Sequence, residues 1–220
     1  MNKTVVIDVV GLSRSVIGEH TPFLNGYIQK TSIQNIENVL PALTTSVQSS
    51  YLTGASPSET GIVANGWYDR TDCEVKFWKQ SNKLVLSEKI WEKAKRLNPE
   101  FTVANMFWWY NMYSSADFAV TPRPNYLADG RKIPDCYSNP PELRDLLQEK
   151  LGQFPLFQFW GPGANIKSSE WIAEASMIVD EQYDPTLSLI YLPHLDYCLQ
   201  KFGPDFSKIS SDLKDRKSVV

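Results

Sequence analysis

Histidine and cysteine are scarce in this 220-residue chain, which holds two of the first and three of the second. Cys73, Cys136 and Cys198 stand far apart. An odd, unclustered set supplies neither a disulfide framework nor a cysteine-based zinc finger. A reducing compartment is then the default, and a cytoplasmic setting is expected. There is no basic excess: 22 Lys and Arg against 25 Asp and Glu give a formal charge of -3. That argues against a nucleic-acid polymer as partner, since such binders carry a basic face. No apolar run is long enough to span a bilayer, so no membrane partner is expected. The early run Val5-Val6-Ile7 is short and is broken by Asp8, so it reads as a strand and not as a secretion signal. What the chain does have is 42% hydrophobic residues, with 7 Trp and 10 Tyr, enough for the core of one domain or one and a fraction.

Hydrophobic patterning alternates between strands and helices. Thr4 to Val10 is a near-continuous β-branched run of the kind buried on both faces of a parallel sheet, ended by Gly11. Pro22 to Lys30 suits a short helix, and Ile36 to Leu40 a short strand. Thr44 to Leu52 lacks Pro and Gly, and Gly54 stands where a C-terminal helix cap belongs. Asn65 to Asn82 reads as a loop or hairpin over the sheet edge. Ser87 opens an amphipathic helix to Leu97 with Ile90, Trp91 and Ala94 on one face. Phe101 to Phe107 is a strand, Met106 to Tyr113 is dense in aromatics, and Thr121 to Pro141 is irregular. Helices follow over 141–151 and 168–183, then a buried strand over 186–192 that ends at Pro193. The pattern predicts an α/β fold, a mostly parallel sheet flanked by helices. Loop-rich insertions are expected over 66–86 and 107–140 within one unit spanning 1–220. The charged, serine-rich stretch from Ser207 starts a helix and ends in Lys217-Ser218-Val219-Val220 without a closing element.

Three places carry chemistry. Asp8 lies within a β-branched run, where a carboxylate is costly to bury unless it is paired or holds a metal. Carboxyl ends of parallel strands are also where α/β proteins place ligands. An Asp capping the turn at Gly11 explains it equally well. In Pro41-Ala42-Leu43-Thr44-Thr45-Ser46 the hydroxyls have an ordinary explanation as helix caps. The alternative is that Thr44 or Thr45 attacks phosphorus, with the helix N-terminus receiving phosphate oxygens. Asp196 follows a buried strand, with His194 just before it, and a simple turn accounts for it as well. Taken together, two carboxylates and a hydroxyl converging at strand ends match a two-metal phosphoryl-transfer site.

A longer pattern joins these residues. Pro41-Ala42-Leu43-Thr44, Ser50-Tyr51-Leu52-Thr53-Gly54, Pro57-Ser58-Glu59-Thr60-Gly61-Ile62, Asn65 and Tyr68-Asp69 follow one another without a gap. This segment resembles the type I phosphodiesterase/nucleotide pyrophosphatase family of the alkaline phosphatase superfamily. The strand around Asp8, and Tyr191, Asp196, Gly203 and Pro204, extend the resemblance over most of the chain. It implies an alkaline-phosphatase-like fold and two zinc ions. It implies a nucleophile at Thr44 bound to one zinc, with Asp8 as a ligand of that ion. Asn65 is implied as a donor to a phosphate oxygen, and Asp196 as a ligand of the second zinc. The implied substrate is a small-molecule phosphate mono- or diester, nucleotide pyrophosphate or phosphonate. Oligomeric state is not legible.

The departures are informative. Gln200 stands where the family has histidine four residues after Asp196, and an amide oxygen is a poorer zinc ligand than imidazole. Thr60 stands where a histidine commonly precedes Gly-Ile, and Thr45-Ser46-Val47-Gln48 replaces an aromatic or Asn followed by Pro-Asn. The family's downstream Asp-His pair and late histidine have no counterpart after Pro204. The expectation is therefore a C-terminally truncated hydrolase with impaired activity. A fold-retaining remnant with no catalysis is the alternative, and a single-metal site of Asp8, Asp196 and His194 is the third reading. Trp108 and Trp109 are candidates for stacking a nucleobase, with core packing the expectation for at least one of them.

Overall fold

The computed structural model describes residues 2–215. In chain order its strands are β1 Thr4–Val9, β2 Gly66–Asp69, β3 Glu74–Phe77, β4 Val103–Met106, β5 Phe118–Pro122, β6 Asn125–Tyr126, β7 Lys132–Ile133, β8 Cys136–Asn139 and β9 Leu187–Leu192. Its helices are α1 Pro22–Ile28, α2 Thr44–Thr53, α3 Pro57–Thr60, α4 Ile90–Leu97, α5 Glu142–Leu151, α6 Ile166–Tyr183, α7 His194–Phe202 and α8 Phe206–Asp215. The central sheet has the order β1-β9-β4-β5-β8. The first three pairings are parallel and only β5–β8 is antiparallel. All of β4 is buried, as its central place requires, whereas the proline-flanked β8 stands at an edge where missing donors are tolerated.

Parallel pairing brings the carboxyl ends of β1, β9 and β4 to one rim of the sheet. Asp8, the turn into α7 and the aromatic segment after Met106 are thereby neighbours. Helix α6 packs against β4 and β9 and seals the main core of Trp91, Phe107, Leu143, Leu147, Phe154 and Ile172. Two small hairpins, β2–β3 and β6–β7, stand outside this sheet.

Several expectations need correction. The run from Thr4 is a strand, but it is not buried on both faces. Val5, Val6 and Ile7 are 49%, 39% and 43% exposed, because β1 is the edge strand and pairs with β9 alone. Ile36 to Leu40 forms no strand, since it finds no partner in the sheet. The helix expected from Ser87 starts at Ile90, with Lys89 as N-cap, and its Glu92 side chain accepts the Lys89 N–H at 2.9 Å. The irregular stretch after Thr121 contributes β8 to the central sheet, and Ser138 Oγ accepts the Arg144 N–H at 3.0 Å across the turn into α5. The helix expected over 168–183 begins earlier, at Ile166, capped by the Asn165 side chain. Residues 216–220, where the closing Lys217-Ser218-Val219-Val220 falls, lie outside the described residues.

A polar cluster fastens β8 to α5. Asp135 Oδ1 accepts from Arg144 Nε at 2.6 Å, the Cys136 N–H at 2.8 Å and Gln148 Nε2 at 3.1 Å. Burial alone would raise the Asp135 pKa, but the Arg144 guanidinium and these donors outweigh it and hold the carboxyl below its usual range. A depressed carboxylate pKa means stability that is present above the unfolded value and lost as pH falls through the folded one. Asp135→Asn is therefore expected to cost about 1–3 kcal/mol at pH 7. The gap to wild type should close below about pH 4, where the unfolded-state Asp also protonates. Urea titrations of both proteins at pH 7 and pH 3 check this, and a gap unchanged at pH 3 would refute it.

Candidate active site

Helix α2 begins at Thr44, with Leu43 as an N-cap that offers no side-chain acceptor. The acceptor comes from elsewhere. Asn65 Oδ1 accepts the Thr45 N–H at 3.2 Å and the Thr45 hydroxyl at 3.0 Å. Ser46 Oγ turns back to donate to the carbonyls of Pro41 at 2.8 Å and Leu43 at 3.2 Å. Asn65 thus caps the Thr45 N–H, Ser46 fastens the preceding loop, and the Thr44 hydroxyl is not used as a cap. With Oδ1 held by Thr45, the Nδ2 amide of Asn65 is the half that can donate to a ligand.

The Thr44 side chain instead lies beside the phenol of Tyr191. Tyr191 is buried near the end of β9 and lies in register with Asp8 of β1. Burial raises its pKa well above the ordinary value, Tyr197 and the charges of Asp8 and Asp196 add to that, and the Thr44 contact opposes it. Asp8 is the register partner of Tyr191, Gln48 ties it to α2 one turn from Thr44, and Asp196 follows β9 on the first turn of α7, so the three residues lie toward one rim of the sheet. Burial likewise pushes the Tyr110 phenol up to about 12.

Asp8 Oδ2 accepts from Gln48 Nε2 at 3.0 Å, and Gln48 Oε1 accepts the Trp109 N–H at 2.7 Å. Gln48 was not singled out in the sequence as a site residue. Its spacing of four from Thr44, which places both on one side of a helix, was the available signal. Tyr191 entered only as part of a matching segment.

His194 is buried at the start of α7. Its Nε2 lies 3.0 Å from Asp212 Oδ1 on α8, in a second cavity beside Tyr197, Cys198 and Lys201. Gln200 Nε2 donates to Asp196 Oδ2 at 2.6 Å, one helical turn on. Asp8, Thr44 and Asp196 are oxygen donors of a kind zinc accepts beside imidazole. However, no group of three or more His, Cys, Asp or Glu is placed to hold a metal ion among the described residues. The residues gathered at the rim do not make up a zinc site by themselves.

The walls are aromatic. Trp109 donates from Nε1 to the Lys79 carbonyl at 3.0 Å and meets Trp78 edge-on at 4.9 Å between centroids. Trp108 and Trp109 are 2% and 6% exposed, so both are packed in the interior and neither presents a face for a base. Phe107, Tyr110 and Tyr113 have positive φ, a strained conformation for such residues. Buried amides hold the segment: Asn111 Nδ2 donates to the Asn105 and Val120 carbonyls, and Asn82 Nδ2 to that of Tyr110. A shallow cavity of about 480 Å3 opens beside Asn65, lined by Leu43, Trp67, Tyr68, Val75 and Phe77. No described helix is long and apolar enough to cross a membrane.

A mostly parallel sheet flanked by helices is the architecture of alkaline-phosphatase-like proteins, and solved structures share it. Human ectonucleotide pyrophosphatase/phosphodiesterase 5 matches with a TM-score of 0.63 at 17% identity, over 99% of this chain and 50% of that one. An inactive murine counterpart in complex with AMP gives 0.62 at 18%, over 99% and 50%. Phosphonoacetate hydrolase from Sinorhizobium meliloti 1021, in complex with phosphonoformate, gives 0.62 at 14%, over 98% and 52%. The chain thus spans about half the length of these proteins. Among curated proteins none matches. Residues 4–216 match the family of type I phosphodiesterases and nucleotide pyrophosphatases, and the chain belongs to that family.

Proposed function

We propose that this chain carries the nucleophile half of a phosphate-ester hydrolase site, with Thr44 attacking phosphorus in a small phosphodiester, nucleotide or phosphonate. The observation that supports the reading is that Asp8, tied through Gln48 to the helix that Thr44 opens, and Asp196, on the first turn after β9, lie toward the rim where parallel strands end. Thr44 opens α2, so the backbone N–H groups of the first turn and the helix dipole favour an anionic ester beside its hydroxyl. Asn65, steered by Thr45, donates its Nδ2 amide to a phosphate oxygen, which stabilises charge as it develops. AMP bound to a structural relative and phosphonoformate bound to another agree in class with such a substrate.

Zinc is the cofactor that the family resemblance implies, and Asp8, Thr44 and Asp196 are the residues that would contact it. Among the described residues they do not complete a shell. A second reading has its own observation. Gln200 occupies Asp196, and His194 is engaged by Asp212, which fits a chain that keeps the fold without catalysis.

Hydrolysis of bis(p-nitrophenyl) phosphate by the purified chain, with added Zn2+ and after EDTA treatment, tests both. A slow release of nitrophenol, reduced at least about tenfold by EDTA, is expected. No release under any condition favours the non-catalytic reading. Fast release that resists EDTA would overturn the metal assignment.

A further inference from the structure

We infer that Gln48 is a positioning residue, locking the Asp8 carboxylate to the backbone of the aromatic segment so that acid and wall keep one geometry. The inference rests on the reading of Asp8 and Thr44 as parts of one phosphate-ester site. Gln48 is 2% exposed. Burying an amide is costly unless both of its halves are paired. Here they are: Nε2 donates to Asp8 Oδ2 at 3.0 Å, and Oε1 accepts the Trp109 N–H at 2.7 Å. The two demands are opposite in kind, a donor toward the carboxylate and an acceptor toward the N–H. Among side chains of this length only an amide meets both. Glutamate keeps the acceptor and loses the donor, and leucine loses both.

The placement extends the lock. Gln48 follows Thr44 by one helical turn and shares its side of α2. Trp109 in turn bonds to the Lys79 carbonyl and packs on Trp78. A continuous path therefore runs from Asp8 at the end of β1, through Gln48 and Trp109, to the residues that follow the β2–β3 hairpin. Groups that hydrogen-bond a reactive carboxylate orient it, and removing them typically costs 10–100-fold in activity.

Amide hydrogen exchange at Trp109 in the whole chain tests this. Asp8→Leu, similar in size but without an acceptor, is expected to speed Trp109 exchange at least about tenfold, because Gln48 loses its anchor. Asp8→Asn, which keeps an acceptor oxygen, should hold exchange near wild type, and so should Thr44→Ala. Exchange across Val103–Met106 reports whether a variant has loosened as a whole, and Trp109 is read relative to it. Gln48→Glu keeps the acceptor for Trp109 but loses the donor to Asp8, so it should speed Trp109 exchange as Asp8→Leu does, and lower kcat for bis(p-nitrophenyl) phosphate about 10–100-fold with little change in KM. If Gln48→Leu speeds Trp109 exchange but Asp8→Leu does not, Gln48 serves the loop alone and the inference is overturned. Failure of the hydrolase reading shows separately, as nitrophenol release indifferent to Thr44→Ala, and leaves the exchange result decisive for the Asp8–Gln48–Trp109 lock.

Discussion

Thr44→Ala is expected to lower bis(p-nitrophenyl) phosphate hydrolysis by a factor on the order of 10³ or more, the scale on which covalent enzymes lose rate with their nucleophile. The fold should hardly notice. Thr44 is the first residue of α2, and the cap of that turn is supplied by Asn65. The substitution therefore removes no capping bond, and the change in stability should stay within about 1 kcal/mol. Thr44→Ser keeps a hydroxyl at the same place and should retain a measurable fraction of the rate. Steady-state rates of the three proteins, paired with urea midpoints, decide the matter. Equal rates in wild type and Thr44→Ala would show that attack comes from another group. A large loss of stability would show that Thr44 is structural after all.

Trp91→Ala is expected to remove about 3–5 kcal/mol from the folding free energy. The Trp91 indole is fully buried in the main core, and its Nε1 donates to Ser115 Oγ at 3.0 Å. Truncation empties a large volume in the main core, while the exposed Ser115 hydroxyl keeps its bond to Glu92 Oε1. A domain of this size has a total stability of about 5–15 kcal/mol. A loss of this size would leave much of the protein unfolded at mild urea concentrations. Trp91→Phe retains most of the apolar volume but not the donor, and should cost less than half as much. Circular dichroism against urea measures both. An alanine variant within about 1 kcal/mol of wild type would mean that α4 is not held by this residue.

The order of elements was legible because periodicity and punctuation agreed. Gly54 ends α2 with φ of 67°, as a C-terminal cap should. Leu187 to Leu192 is an interior strand and reads as one. What failed was coverage. A β-branched run such as Thr4 to Val9 reports strand propensity, not whether a neighbour covers its faces, and β1 has its apolar side chains largely exposed. Ile36 to Leu40 failed likewise, because a strand exists only with a partner. In the site, Asp8, Thr44 and Asp196 were legible as polar residues at strand and helix ends and Asn65 through a matching pattern, and Gln48 ties Asp8 to the helix of Thr44. The pairing of Tyr191 with Asp8, and Gln48 as the tie on Asp8, depend on the register of β1 against β9 and on the path of the segment after Met106. No local pattern encodes either. The two tryptophans expected as base-stacking candidates are interior because amides at Gln48, Asn105 and Asn111 draw that segment inward.

The cap of α2 has a consequence for how the protein matures. Asn65 lies 20 residues beyond the Thr45 it holds, so the reactive end of the helix is not encoded in its own neighbourhood. Closing a chain segment of that length carries an entropic toll of its own. The N-terminal turn of α2 therefore gains its cap only once α3 and the turn into β2 have folded back upon it.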